Sequence, residues 1–469
     1  MRKTKIIATL GPATDKEGIL RDMLLAGANI TRFNMSHGDH ETHRKRFEAV
    51  RKTADELGLI VGTLMDTKGP EIRTGVFDGK VEIPAGSRYT LTTREVVGNE
   101  GICSITYKDL PSEVSEGQKI LIDDGRIELK VVKVMDTEII CDVVNGGTVS
   151  SNKGINCPGL HLMMPYVSEK DKADLRFGYE MGFDFIAASF ARSADDINML
   201  RSELASIGWN DVRIIAKIEN AEGVANIDEI LEVSDGVMVA RGDMGVEIDF
   251  EELPVIQKMI IKKTVGAAKQ VVTATQMLES MVSNPRPTRA ETSDVANAIY
   301  DGTSAIMLSG ETAAGDWPVE AVKTMAAIAE RTENDIDYDG RFFKIVDHCG
   351  DVTTAISHSA VLTANDLGAK AVLTVTKTGF TARMLSRFRP ACPIIACSPD
   401  EKVCKQMAMS WGVVPVKTEE VTTTDELFAI AVCAAKDSGM VEEGDKVVIT
   451  AGVPIGKSGT TNLIKVETI

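Results

Sequence analysis

Apolar runs that alternate with helical periodicity constrain the fold of this chain more than any other feature of its sequence. In residues 213–247, a run ending in Lys217-Ile218-Glu219 precedes a helical pattern over 221–233, and a second run leads to Arg241-Gly242-Asp243. Another helical pattern follows over 250–268. This order predicts a strand, a crossover helix and a parallel strand. Counting such units along the chain, on both sides of one long interruption, gives eight, the number that closes a barrel.

The apolar residues in the interruption follow a different pattern. Between residues 74 and 164, short alternating runs are separated by Asp78-Gly79, Asp124-Gly125 and Asn145-Gly146, dipeptides typical of hairpin turns. We predict an α/β protein: a (β/α)₈ TIM barrel (residues 1–72 and 166–338) with an inserted all-β domain (73–165). A polar stretch, 335–351, indicates a linker, and renewed alternation over 350–469 indicates a C-terminal α/β domain.

Composition excludes several classes of protein. The chain has 469 residues, a length typical of about three domains. No apolar run approaches the ~20 residues that span a bilayer, and the basic N-terminus lacks the cleavage site of a signal peptide. The net charge of −17 argues against a nucleic-acid surface. Eight cysteines without a C-x-x-C pair predict reduced thiols and a cytoplasmic location.

Polar residues follow two successive strands in the central stretch. Lys217 and Glu219 end the first strand, and Asp243 follows the second. In a β/α barrel the C-terminal ends of the strands meet in one mouth, so these side chains are expected to face one another. Two carboxylates suit Mg²⁺, which keeps its other positions for water and substrate phosphate. Each residue alone could simply cap a helix, but the three together predict a site.

Five segments resemble the signatures of the pyruvate kinase family, in the family's order and across nearly the whole chain. They are residues 66–73 (DTKGPEIR), 216–220 (AKIEN), 238–243 (MVARGD), 274–278 (ATQML) and 309–312 (SGET). The family has the same three-part architecture. The resemblance implies a phosphotransferase of glycolysis, catalysing its last step: phosphoenolpyruvate and ADP give pyruvate and ATP, with Mg²⁺ (or Mn²⁺) and K⁺ as cofactors.

The resemblance also implies roles for single residues. Glu219 and Asp243 would hold Mg²⁺, and Lys217 would stabilise the transition state and the enolate that remains. Arg32 would bind the substrate phosphate.

The substrate carboxylate and the enolate proton involve further positions. Backbone N–H groups of Gly242 and Asp243 would receive the carboxylate. Thr275 would contact the same substrate. Thr275 or Ser309, acting through ordered water, is a candidate for the proton relay.

A second set of oxygens suits a weakly hydrated monovalent cation. By resemblance, Asn34, Ser36, Asp66 and the Thr67 carbonyl form the K⁺ site, although Asn34 and Ser36 could instead cap a helix. Glu71 agrees with K⁺ dependence, because in this family a lysine at that place accompanies K⁺ independence.

The nucleotide is expected at the hinges of the inserted domain. By resemblance, Arg73 and Lys153 contact its phosphates, and the 34–37 loop (Asn34, His37) touches it as well. Hinge placement suits a lid that excludes water. His37, His40 and His43 could suggest a metal cluster, but His37 precedes the predicted helix, so a solvated helix start is favoured.

A hydroxyl-rich turn in the C-terminal domain indicates a phosphate cradle. It comprises Thr376, Lys377, Thr378, Gly379 and Thr381, and together with Lys457 and Ser458 it resembles the family's effector site. A plain β–α turn is the alternative. Residues 451–458 nearly fit a P-loop, but Ala451 replaces its first glycine and no helix is expected after Ser458.

Two other functions stay open at this stage. One is a different Mg²⁺-dependent barrel enzyme acting on an enolpyruvate or oxo-acid, which leaves the inserted domain, Arg73 and Lys153 unexplained. The other is a non-catalytic metabolite-sensing homologue, which substitution at Lys217, Glu219 or Asp243 would favour. The family is usually a homotetramer. We expect no nucleic-acid or membrane partner, and no additional phosphotransfer domain beyond Ile469.

Overall fold

A computed structural model of the chain describes residues 1–345, 350–455 and 459–469. It begins with three fully or largely buried parallel strands and two helices: β1 (Lys5–Thr9), α1 (Ile19–Leu25), β2 (Ile30–Asn34), α2 (His40–Leu57) and β3 (Gly62–Asp66).

The inserted domain follows β3. Its elements are β4 (Ile72–Arg73), β5 (Val81–Ile83), β6 (Arg88–Thr92), β7 (Ile102–Ser104), α3 (Leu110–Glu113), β8 (Lys119–Ile122), β9 (Ile127–Met135), β10 (Glu138–Asn145), β11 (Gly147–Val149) and β12 (Gly154–Asn156). Seven strands form one sheet in the order β4-β12-β8-β9-β10-β6-β7, and β11 pairs with β5. The domain buries an apolar core of its own.

The barrel then resumes. Its remaining elements are α4 (Glu169–Met181), β13 (Phe185–Ala188), α5 (Ala194–Ser206), β14 (Arg213–Ile218), α6 (Ala221–Ala225), α7 (Ile227–Val233), β15 (Gly236–Ala240), α8 (Arg241–Glu247), α9 (Leu253–Gly266), β16 (Gln270–Ala274), a 3₁₀ helix (Glu279–Val282), α10 (Arg289–Asp301), β17 (Ala305–Leu308), α11 (Gly310–Ala313) and α12 (Pro318–Glu333). The strands close in the order β1-β17-β16-β15-β14-β13-β3-β2. The predicted (β/α)₈ barrel with its inserted sheet domain is confirmed.

Local signals set many of the helix ends. Ser168 and Thr288 form capping boxes at the starts of α4 and α10. Gly182 and Gly302 end the same helices in the left-handed conformation that glycine adopts without strain. The single helix predicted over 221–233 is wrong in detail, because the chain breaks at Asn226, whose side-chain amide donates to the Arg192 carbonyl instead.

The linker prediction over 335–351 is wrong in its first half. Residues there form α13 (Tyr338–Ile345), and Phe342 is buried in the core of the C-terminal domain. Its ring stacks on His358 with the centroids 4.6 Å apart. Phe342 thus gains a partner in the folded C-terminal domain, whereas its neighbour Phe343 stays exposed.

The C-terminal domain is α/β, as predicted. Its elements are α14 (Val352–Leu367), β18 (Ala371–Val375), α15 (Phe380–Arg387), β19 (Ile394–Ser398), α16 (Glu401–Met407), β20 (Val413–Lys417), α17 (Thr424–Asp437), β21 (Lys446–Gly452) and β22 (Thr461–Thr468). The sheet order is β20-β19-β18-β21-β22, with only β22 antiparallel to its neighbour.

This domain seals the barrel at the N-terminal ends of its strands. Ala408 and Met409 belong to the same apolar cluster as the inward-facing residues of the barrel strands. Gln406 is buried and donates to the carbonyl of Asp211 at 2.7 Å, and the Lys5 ammonium donates to the carbonyl of Val413 at 2.6 Å. The C-terminal domain is thus part of the barrel's packing.

Among the helices of the described residues, none combines the length and apolar character needed to cross a membrane. The cysteines in the described part of the chain are free thiols, and Cys349 lies outside it.

Candidate active site

Four polar side chains, carried by β2, β3 and β14 or directly after them, converge at the C-terminal mouth of the barrel. Arg32 of β2 donates to Asp66 at the end of β3, with Nε 2.6 Å from Oδ2. The Lys217 Nζ of β14 lies 3.1 Å from the other oxygen of Asp66 and 3.0 Å from Glu219 Oε1. All four side chains are buried. The structure therefore brings together the lysine, one of the two predicted magnesium ligands, the predicted phosphate ligand and a predicted K⁺ ligand.

The residues after β13 hold this group in place. Ser189 Oγ accepts from Lys217 Nζ at 2.8 Å and lies 2.7 Å from the Thr67 carbonyl. The Phe190 N–H donates to Glu219 Oε2 at 2.6 Å, and Phe190 has a φ of +55°, a left-handed conformation that is strained for a bulky residue. Sequence reasoning missed the contacts of Ser189 with Lys217 and of Phe190 with Glu219, because neither residue is of a type that favours a left-handed turn.

The buried charges influence one another's protonation. Burial raises the pKa of Asp66, but Arg32 and Lys217 outweigh it and hold this pKa below its usual value. Burial lowers the pKa of Lys217, but Asp66 and Glu219 outweigh it and raise this pKa above its usual value. The lysine therefore stays cationic.

Glu219 differs from the other buried groups. Burial raises its pKa to about 7, and the nearby Asp243 and Asp66 charges act in the same direction against the opposing effect of Lys217. Negative charge at this point is therefore only partly neutralised by the protein itself.

A cavity of about 950 Å³ opens in front of this group, between the barrel and the inserted domain. Glu219 and Asp243 both line it, so the structure brings the two predicted magnesium ligands to one surface. A pair of acidic oxygens with unneutralised charge fits a hard divalent cation.

Thr275 and Gly242 meet on the far side of the mouth. Thr275 follows β16 with a φ of +74°, and Arg241 holds it by donating from Nη2 to the Thr275 carbonyl at 2.7 Å. A Cβ on Gly242 would lie 2.7 Å from Thr275 Cγ2, so only glycine allows this approach.

Ser309 follows β17 beside the same mouth. Its N–H donates to Glu311 Oε2 at 2.7 Å, and the N–H of Leu278 donates to Glu311 Oε1 at 3.2 Å. The buried Glu311 carboxylate thus ties the loops after β16 and β17 together, a contact that sequence reasoning did not foresee.

The predicted K⁺ ligands lie at the ends of β2 and β3. Asn34 and Asp66 are direct partners across these paired strands. Asn34 Oδ1 accepts from the N–H of Ser36 at 3.1 Å, a local turn that brings Ser36 back toward the strand end. The donor set is all oxygen with one carboxylate, which fits a monovalent cation.

Comparisons with known proteins give matches that together cover nearly the whole chain. Two family descriptions match: "Pyruvate kinase, barrel domain" over residues 1–322 and "Pyruvate kinase, alpha/beta domain" over residues 354–467. The chain belongs to the pyruvate kinase family.

Individual pyruvate kinases are similar from end to end. The chain is 50% identical over 475 residues to the one from Clostridium acetobutylicum, with complete coverage of both proteins. It is 51% identical to that from Geobacillus stearothermophilus, over all of this chain and 80% of the relative. A crystal structure of a Cryptosporidium parvum pyruvate kinase superposes with a TM-score of 0.94 at 39% identity, covering 100% of this chain and 96% of that one.

Pyruvate kinases are phosphotransferases, and as a family they act on phosphoenolpyruvate and ADP and generally need a divalent metal ion and K⁺. Neither alternative function considered from the sequence is favoured by these matches.

In this pyruvate kinase fold, the two ends of the inserted domain lie side by side. Strand β4 pairs antiparallel with β12, which places Arg73 opposite Gly154. Arg73 donates to the Glu71 carboxylate and to the Asn152 carbonyl. Lys153 Nζ lies 2.7 Å from Asp123 Oδ1. Arg73, Lys153, Glu71 and His37 line the same cavity as Glu219.

The other histidines near His37 have protein partners. His40 Nε2 lies 2.7 Å from Asp174 Oδ1, and His43 Nε2 lies 2.8 Å from the His37 carbonyl. Among the described residues, no three His, Cys, Asp or Glu side chains are grouped as a metal site.

The predicted effector residues surround a separate, smaller cavity of about 100 Å³. Thr376, Lys377, Thr378 and Thr381 line it, and Gly379 caps the start of α15 with a φ of +73°. Lys377 Nζ lies 3.0 Å from Glu420 Oε1, so an anionic ligand must compete with that carboxylate. Lys457 and Ser458 lie outside the described residues.

Proposed function

We propose that this chain catalyses phosphoryl transfer from phosphoenolpyruvate to ADP, giving pyruvate and ATP. The observation that carries the proposal is the buried Lys217 ammonium, fixed between Asp66, Glu219 and Ser189 at the mouth of a barrel of this family. A compact, permanently charged group at that point suits charge that develops on a transferring phosphoryl group.

Residues around Lys217 would bind and orient the substrate. Arg32, whose Nε donates to Asp66 and whose Nη1 donates to Thr9, would hold the phosphate through its remaining guanidinium N–H groups. Backbone N–H groups of Gly242 and Asp243, at the start of α8, would receive its carboxylate. Thr275 would contact the same substrate, which its enforced proximity to Gly242 supports.

Two ion sites complete the centre. Glu219 and Asp243 would hold Mg²⁺ (or Mn²⁺), which neutralises charge on the phosphoryl group and the enolate when bound. Asn34, Ser36, Asp66 and the Thr67 carbonyl would hold K⁺, and Glu71 fits K⁺ dependence.

Residues of this chain then stabilise the charge that develops and deliver the proton that the enolate needs. The phosphorus–oxygen bond to the enolate oxygen breaks as a bond to the ADP β-phosphate oxygen forms, and Lys217 stabilises both the moving group and the enolate. The enolate carbon takes a proton through ordered water from the side of Thr275 or Ser309, which lie after β16 and β17.

The nucleotide would lie beneath the inserted domain. Arg73 and Lys153 would contact its phosphates, while Asn34 and His37 would meet it from the loop after β2. We place the limits of this lid at 73–165, with the barrel at 1–72 and 166–338 and the C-terminal domain at 350–469.

Regulation and assembly are further parts of the proposal. A phosphorylated effector would bind Thr376, Lys377, Thr378, Gly379 and Thr381, with Lys457 and Ser458. Titration with sugar phosphates and AMP tests this, and no change in activity with any of them rejects it. We also propose a homotetramer, which rests on the family resemblance alone, and native mass measurement tests it.

One coupled assay tests the central proposal: pyruvate formation from phosphoenolpyruvate, with ADP, Mg²⁺ and K⁺ each omitted in turn. We expect activity only when all are present. Lys217→Met, which keeps most of the length of the unbranched side chain but removes its charge, is expected to lower kcat by about 10³-fold or more. Pyruvate formed without ADP, or an active Lys217→Met variant, would reject the assigned chemistry.

A further inference from the structure

The Ser189 hydroxyl lies where the lysine and the proposed K⁺ ligands meet. It follows β13 and is 2% exposed. Ser189 Oγ accepts from Lys217 Nζ at 2.8 Å, and lies 2.7 Å from the Thr67 carbonyl and 3.1 Å from Asp66 Oδ1. A hydroxyl has one proton, so it donates to one of these two oxygens while it accepts from the lysine.

Ser189 is the uncharged member of the set that surrounds the lysine. The ammonium has three protons, and its hydrogen-bonding neighbours are Asp66, Glu219 and Ser189. Without the hydroxyl, the ammonium would be drawn onto the two carboxylates alone. Those carboxylates belong to the proposed K⁺ and Mg²⁺ sites, so a lysine displaced toward them would compete with both ions.

The backbone around Ser189 leaves little room for adjustment. The Ser189 N–H donates to Thr67 Oγ1 at 3.2 Å, and the next residue, Phe190, is held by Glu219. Gly69 lies so close that an added Cβ would be 2.9 Å from Ser189 Cβ. A shift of the chain therefore cannot compensate for the loss of the hydroxyl.

We infer that Ser189 is a positioning residue. Its hydroxyl holds the Lys217 ammonium at a fixed distance from Asp66 and Glu219 and so keeps both carboxylates available to the ions. The inference rests on the proposed function for the roles of Lys217 and the ion sites. No bond is made or broken at Ser189.

The test compares Ser189→Ala with Ser304→Ala in the full chain. Ser304 is a matched control because it is equally buried, accepts from Val271 and Arg389, and lies at the opposite end of the barrel. The first readout needs no activity: the K⁺ concentration that half-saturates the rise in Tm of the substrate-free protein, at constant ionic strength. We expect Ser189→Ala to raise it about fivefold, the equivalent of one hydrogen bond.

The second readout separates position from stability. We expect Ser189→Ala to lower kcat about 10- to 100-fold, because a small misplacement of a reacting group is costly. The KM for phosphoenolpyruvate should change less than about threefold, because Arg32 and the carboxylate contacts remain. Ser304→Ala should lower Tm without changing the K⁺ midpoint or kcat.

Several results would overturn the inference. An unchanged K⁺ midpoint and kcat in Ser189→Ala would do so, as would the same changes in Ser304→Ala. If Ser189→Ala does not fold, Ser189→Cys, whose thiol is a weaker acceptor, is expected to give intermediate values, and wild-type values would reject the role. A wild-type protein that lacks both a K⁺ response and pyruvate formation would instead reject the proposed function itself.

Discussion

At the scale of single residues, Glu219 makes the metal assignment testable through pH. Burial and the neighbouring charges of Asp243 and Asp66 raise its pKa to about 7. A metal ion binds the deprotonated carboxylate, so protons compete with it below that pH. We expect Mg²⁺ or Mn²⁺ affinity of the substrate-free protein to be about tenfold weaker at pH 6 than at pH 8 and to level off above about pH 8. Isothermal titration calorimetry at the two pH values measures this.

Glu219→Gln is the control for this prediction. The amide cannot titrate, so its metal affinity should be weak and should no longer fall with pH. Equal affinities of the wild-type protein at pH 6 and pH 8 would show that Glu219 is not a ligand whose proton the metal displaces.

The sequence predicts some of these residues and hides others for physical reasons. Lys217, Glu219 and Asp243 stand at the ends of apolar runs, where chain order alone places them at one barrel mouth. Ser189 and Phe190 also follow a strand, but their contacts depend on the left-handed backbone of Phe190 and on the facing Thr67 carbonyl. A contact between residues that are distant in sequence leaves no periodic pattern along the chain, so the sequence does not predict it.

At the scale of elements, helix α8 couples the proposed carboxylate site to Thr275. An added methyl at Gly242 would meet Thr275 Cγ2 at 2.7 Å, so Gly242→Ala must displace either the helix start or Thr275. We expect a KM for phosphoenolpyruvate that is about tenfold higher or more, and a lower kcat, because both contacts would be misplaced. Steady-state kinetics with phosphoenolpyruvate as the varied substrate measures the effect.

The same helix supplies the matched control. The nearest atom to a Cβ on Gly245 is Leu253 Cδ2 at 3.8 Å, an ordinary contact. Gly245→Ala should therefore leave kinetics unchanged and stabilise the helix slightly. Similar kinetic losses in both variants would mean that any substitution in α8 impairs activity, and that the close approach of Gly242 to Thr275 has no special role. Sequence periodicity places a helix over 250–268, and the structure has α9 there with the separate short helix α8 before it.

At the scale of the whole molecule, the three units are predictable but their joint packing is not. Each unit carries its own periodicity, so barrel, lid and C-terminal sheet could be read from the chain. The entry of Met409 into the barrel's apolar cluster follows from the shapes of two finished domains. The linker predicted before the C-terminal domain is partly helical for the same reason, because Phe342 finds its partners only in the folded domain.

The contact between these domains gives the last prediction. Lys5 is buried there and donates to the Val413 carbonyl, and burial together with the nearby Arg2 charge lowers its pKa to about 7. In the unfolded chain a lysine has a pKa of about 10.4. Between about pH 7 and 10 the unfolded chain therefore binds a proton that the folded protein does not, so stability rises with pH across this window.

Replacing Lys5 removes this dependence. The Tm of the wild-type protein, relative to that of Lys5→Met, should be level from pH 6 to 7 and then rise toward pH 9.5, because the buried ammonium becomes neutral while the amine still donates to Val413. Lys45→Met is the control: Lys45 is exposed on α2, so its substitution should leave the pH profile unchanged. Parallel profiles for the wild type and Lys5→Met would show that this lysine keeps its charge, and that the contact between the two domains accommodates a cation whose hydrogen-bond acceptor is the Val413 carbonyl.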